Sequence, residues 1–151
     1  MPDKLCLALW TWYASDDYKP VLMVCELAQA LLFLARPAAE QASSIPYCPA
    51  CETWSEMMLP VDDFLNGFTE PLDEPLRLKL GQLWTLCNAL DATAFRCDDF
   101  QMFHHPDWAP LRATAIEALD IMGWEMLAAH QDELLLESRQ KLFPHFFRNQ
   151  A

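Results

Sequence analysis

Three features of the sequence predict an all-α fold. Apolar residues recur at helical spacing along most of the chain. Glycine, with only 3 residues, is too scarce for a protein built on tight β-turns. Hydrophobic residues make up 53% and charged residues 21% of 151 residues, enough apolar material for one domain around one core. A disordered chain would need the opposite composition. The expected architecture is a single domain, 1–151: an irregular helical bundle of about five main helices, with short extra helices between 37 and 75.

The first apolar run holds Leu5, Leu9, Trp12 and Tyr13 on one helix face, although so short a run also fits a strand. Asp16 or Asp17 then offers an N-cap, with Pro20 in the first turn of a second helix. That helix reaches about Ala35 and is apolar nearly all round, which predicts a central position. Arg36 suits its C-terminal dipole and Pro37 stops it. The stretch 21–35 includes Glu26 and Gln29 and falls short of the ~20 apolar residues of a membrane span. Pro37, Pro46, Pro49, Pro60, Pro71 and Pro75 then leave room only for short helices, at 53–59 and 61–68. Leu76, Leu80, Leu83, Trp84, Cys87 and Leu90 keep helical spacing without a miss, and 92–106 reads as loop and turn. Asp107 is the expected N-cap of a long helix whose face holds Trp108, Leu111, Ala115, Leu119, Met122 and Met126, with a local loosening at Gly123. A last helix at 131–143 carries Leu134, Leu135 and Leu142; Pro144 ends it and leaves Phe146, Phe147 and Arg148 as a tail.

Charge narrows the classes of partner. The chain has 22 acids against 10 bases, a net charge of −12. Nucleic acid and anionic membrane surfaces are disfavoured, since both are bound through Lys and Arg. A cationic protein would be attracted and steered in faster. Acidity also maintains solubility, and that explanation stays open. Yet 37–76 holds eight acids (Glu40, Glu52, Glu56, Asp62, Asp63, Glu70, Asp73 and Glu74) and no Lys or Arg, more than a solvated face needs. Six cysteines could form three disulfides, but a core of this size needs no staples and most of them sit among helical apolar residues, so they read as reduced; with the lack of a secretory pattern at Met1-Pro2-Asp3-Lys4 this predicts a cytoplasmic protein.

One short motif stands out, Cys48-Pro49-Ala50-Cys51. A redox role would need a thioredoxin-like βαβ context, which the pattern does not supply. A zinc site would need further ligands from Cys97, His104 and His105, and the two histidines are adjacent, a poor spacing for one ion. Two ordinary thiols in a proline-rich turn is the third reading. His104 and His105 precede Pro106 near Asp98, Asp99 and Asp107, a set that would suit a general base but equally suits a polar loop. Asp62-Asp63 and Asp98-Asp99 match no calcium loop, and no nucleotide, hydrolase or metalloprotease signature occurs. No catalytic residue, metal or cofactor is therefore assigned. Trp84, Trp108 and Trp124 lie on helix faces and read as core. Trp54 sits between Glu52 and Glu56, where an aromatic ringed by charge suits an interface anchor with Tyr47 and Phe64 as neighbours; the other reading is that these rings pin the segment to the bundle.

The acidic stretch from Glu40 to Glu74, with Trp54 and Tyr47, resembles in type the immunity proteins of bacterial contact-dependent growth inhibition and related polymorphic-toxin systems. The resemblance covers the whole chain loosely and carries no signature motif. It implies a toxin inhibitor rather than an enzyme, with a cognate basic toxin, such as a nuclease, as partner. Glu52, Trp54, Glu56, Asp62, Asp63, Glu70, Asp73, Glu74 and Tyr47 would form the partner-binding surface. Two other classes remain: an adaptor that binds a different protein, and a small metalloprotein or enzyme using Cys48, Cys51, Cys97, His104 and His105.

Overall fold

A computed structural model describes residues 4–146, and among them all regular structure is helical. The main helices are α1 (Lys4–Ala14), α2 (Tyr18–Leu34), α3 (Ala38–Ser44), α4 (Pro49–Thr53), α5 (Leu59–Gly67), α6 (Glu74–Asn88), α7 (Trp108–Met122) and α8 (Gln131–Leu142). The opening run is thus a helix, with Leu5, Cys6 and Leu9 buried. Helix α2 is the axis of the molecule: α1, α5, α7 and α8 all pack on it, and eleven of its residues are buried. Buried residues occupy most of its circumference and leave only a strip with Lys19, Glu26 and Gln29 exposed, so the neighbours must enclose the rest. Helix α6 packs on α5 and α7, and α3 packs on a 3-10 helix, Phe100–His104.

Between α1 and α2, Asp16 takes a left-handed backbone, φ 59°, while Asp17 occupies the cap position without a side-chain cap bond. Asp107 likewise starts α7 without capping it; its carboxylate instead accepts the Asp91 N–H at 3.0 Å. The long helix ends earlier than expected. Gly123 adopts φ 65°, a left-handed conformation that terminates a helix, and Met126 beyond it is exposed rather than on the buried face. Leu90 also lies beyond the end of α6, and Leu142 is partly exposed. The expected tail is described only as far as a 3-10 turn, Pro144–Phe146; Phe147 and Arg148 lie outside the described residues.

The segment after α3 departs most from expectation. Residues 49–67 form one unbroken helical path rather than two helices parted by Pro60. A π-helical stretch, Trp54–Met58, joins α4 to α5, and the Leu59 N–H reaches back to the Trp54 carbonyl. The widened turn makes room for a proline, which has no N–H and would otherwise press on the carbonyl four residues earlier.

A polar knot closes the lower end of α2. Buried Gln41 donates from Nε2 to the Phe33 and Leu34 carbonyls at 3.0 and 3.3 Å. Arg112 of α7 donates to Gln41 Oε1 at 3.0 Å, to the Arg36 carbonyl at 2.8 Å and to the Phe103 carbonyl at 3.1 Å. The last carbonyls of a helix need such donors when water is excluded.

Candidate functional site

The acidic residues of 37–76 are all at the surface, at least in part. Glu40, Glu56, Asp63, Asp73 and Glu74 are exposed; Glu52, Asp62 and Glu70 are half-buried. The ion pairs of the described residues are Lys79–Glu117 (2.6 Å), Arg96–Asp98 (3.5 Å) and Arg139–Glu26 (3.7 Å), and none uses any of these eight carboxylates. Asp62 accepts a hydrogen bond from Asn66 at 2.9 Å, one turn on.

The eight do not converge on one spot. Glu70 lines a cleft with Lys19, and Asp73 lines a cavity with Lys4, Leu5, Leu72 and Leu76. Glu56 and Asp63 are placed differently. They flank Pro60 in two adjoining clefts, and both clefts also hold Glu26 of α2. Glu26 is therefore the acid that sequence reasoning missed: it lies in the most apolar helix, on the one face the π turn and α5 leave open. Met57, Met23 and Arg139 complete the walls.

The aromatic residues divide. Tyr47 is 78% exposed. Trp54 is half-buried against Trp84, ring centroids 5.4 Å apart, with Phe95 at 6.3 Å. Phe64 is core, stacked on Phe68 at 4.4 Å. Of the proposed aromatic anchors only Tyr47 stands free in solvent, while Trp54 and Phe64 pin the acidic segment to the bundle. Trp108 and Trp124 are buried, and Trp84 is half-buried.

The six cysteines are free thiols of two kinds. Cys6, Cys25 and Cys87 are buried on helices; burial pushes Cys25 and Cys87 up to about 12, so they remain protonated and inert. Cys48, Cys51 and Cys97 instead meet at the surface, their Sγ atoms within 4.8 Å of one another. Cys51 and Cys97 are 3.5 Å apart. The Cys48 sulfur caps α4 by accepting the Cys51 N–H at 3.3 Å. Hydrogen bonds from the Cys51 thiol and then from its N–H hold Cys48 below its ordinary pKa, whereas contact with Cys48 and Cys97 pushes Cys51 up to about 12.

Neither histidine joins these sulfurs within that distance. His104 is exposed. His105 accepts the Asp107 N–H on Nδ1 at 3.1 Å, and its Nε2 lies 3.1 Å from Thr93 Oγ1. With Nδ1 accepting, Nε2 carries the proton and donates to Thr93, whose hydroxyl donates in turn to Asp91. A general base would have to accept the hydroxyl proton. The Asp91–Thr93–His105–Asp107 chain runs the other way and braces the loop 89–107.

Comparison with known proteins returns no matching family model, no similar curated protein and no similar solved structure.

Proposed function

We propose that this protein is a cytoplasmic inhibitor of the immunity type, binding a basic protein toxin and covering the cationic groove with which the toxin holds its polyanionic substrate. The observation that carries the reading is the set of acids in 37–76 that have no Lys or Arg partner within the described chain. Unpaired carboxylates at a surface are disposed to meet cations from outside, and such charge complementarity raises the association rate and selects the partner. The centre of the surface is the face around Pro60, where the unpaired Glu56 and Asp63 gather beside Met57, Met23 and Glu26, the last held 3.7 Å from Arg139. Methionine gives this face an adaptable apolar contact between the charges.

The test is capture of the partner at low salt by the wild-type chain and by the double variant Glu56→Lys, Asp63→Lys. Both positions are outside the core, so the fold is retained and circular dichroism checks this. Wild type should retain a basic protein whose nuclease or other toxic activity is suppressed in the complex and returns in high salt. The variant should bind at least about tenfold more weakly, with a flatter salt dependence. Equal binding by the two proteins removes this face from the interface; absence of any basic partner removes the inhibitor reading.

A further inference from the structure

We propose that Cys48, Cys51 and Cys97 form a three-thiolate site for a zinc ion, with the fourth coordination position open to solvent. The inference stands on different residues from the inhibitor reading and goes beyond it.

Size comes first. Zinc holds thiolate sulfur at about 2.3 Å, so three sulfurs in a tetrahedral shell stand about 3.8 Å from each other. The three Sγ atoms already lie within 4.8 Å of one another, with Cys51 and Cys97 at 3.5 Å. Small side-chain rotations complete the shell. The spacing Cys-x-x-Cys places two ligands on one turn, and the third arrives from a residue 46 positions away.

Both arms of the site are fixed without the ion. On one side, the Cys51 N–H hydrogen-bonds the Cys48 sulfur, the kind of outer contact that orients metal ligands. On the other, the loop bearing Cys97 is anchored at several points. The buried Trp108 indole donates to the Ala94 carbonyl at 2.7 Å, and the Arg96 N–H reaches the Met102 sulfur at 3.3 Å. Two segments that share no helix thus bring three soft ligands to one point. Soft thiolates select zinc over magnesium or calcium, whose ligands are oxygens.

The open position follows from the donor set. No fourth histidine, cysteine or carboxylate lies within the same 4.8 Å among the described residues, and Cys51 and Cys97 are exposed. Water or an incoming nitrogen or sulfur donor would complete the tetrahedron. Bound zinc would also tie the start of α4 to the loop before the 3-10 helix.

The experiment uses the reduced, chelator-treated full chain, with cobalt(II) as spectroscopic probe and zinc(II) as competitor. One cobalt per chain should bind, with a sulfur-to-cobalt charge-transfer band that zinc abolishes. Zinc should mask the surface thiols from a thiol reagent, leaving the buried ones unreactive as before. Cys97→Ser, at an exposed position, should keep the helical spectrum yet weaken zinc binding by more than about a hundredfold. Added imidazole should shift the cobalt spectrum by entering the open position. The proposal is overturned if no charge-transfer band forms, if Cys97→Ser binds zinc as tightly as the wild type, or if imidazole leaves the cobalt spectrum unchanged.

Discussion

Asp91 shows how much one hydroxyl sets at the residue scale. The Thr93 hydroxyl, and then the Thr93 N–H, hydrogen-bond its carboxylate and hold its pKa below the ordinary carboxylate value. A depressed pKa means that the folded state favours the ionised form. The resulting stabilisation is complete above the unfolded pKa, about 3.9, and is lost as pH falls through the lower folded value. Thr93→Val removes the hydroxyl but keeps the backbone donor. Asp91 should then titrate closer to the ordinary value, seen by following its carboxyl carbon by NMR across acid pH; an unmoved midpoint would assign the shift to the backbone alone. This network was only partly legible in the sequence. The residue types of His105 and Asp107 suit a general base, but the contact of His105 with Thr93, twelve residues away, is set by the fold.

At the scale of elements, the helices with a strong apolar period were readable and the joints between them were not. Leu76, Leu80, Leu83 and Cys87 are all buried on α6, as their spacing requires. Pro60 predicts a break because proline costs a hydrogen bond and a clash in a regular helix. The π turn removes the clash by shifting the Leu59 N–H to the Trp54 carbonyl, and no pattern of side chains announces that backbone shift. The Gln41–Arg112 knot was equally silent, since its members lie 71 residues apart and neither interrupts a period. Its weight is measurable. Arg112→Met should leave Gln41 Oε1 and the Phe103 carbonyl short of a donor and destabilise the protein by about 2–3 kcal/mol in denaturant unfolding. Gln41→Leu should also destabilise, since it takes the Nε2 donor from the Leu34 carbonyl, and the double variant should cost less than the sum of the two singles because both break one shared bond. A simple sum of the two single costs would show that the pair does not act as a unit.

For the whole molecule, the excess of acid bears on stability as well as on partners. Its carboxylates repel across the surface, and the three Lys and Arg ion pairs of the described residues relieve few of them. Salt shortens the reach of that repulsion, to about 10 Å at ~0.1 M. Raising salt from ~0.02 to ~0.3 M with sodium chloride should therefore raise the urea midpoint, by about 1 kcal/mol of stability, with an unchanged slope. A falling midpoint would mean that attractive pairs dominate. The acidic stretch was legible as composition, but its division was not: Glu70 and Asp73 share their clefts with Lys19 and Lys4, while Glu56 and Asp63 flank Glu26, which Arg139 pairs from the Glu56 side. In the same way the sequence offers Cys97, His104 and His105 together as candidates to join Cys48 and Cys51, the adjacent histidines with the poorer spacing, and among the described residues the fold brings Cys97 to them. Trp54 and Trp84, 5.4 Å apart and inclined at 35°, add a final property. Two indoles this close and this oriented share their electronic excitation, which gives the chain a built-in chiroptical reporter. One ring rides on the acidic segment and the other on α6, so the signal gauges whether that segment is seated on the bundle, without any label.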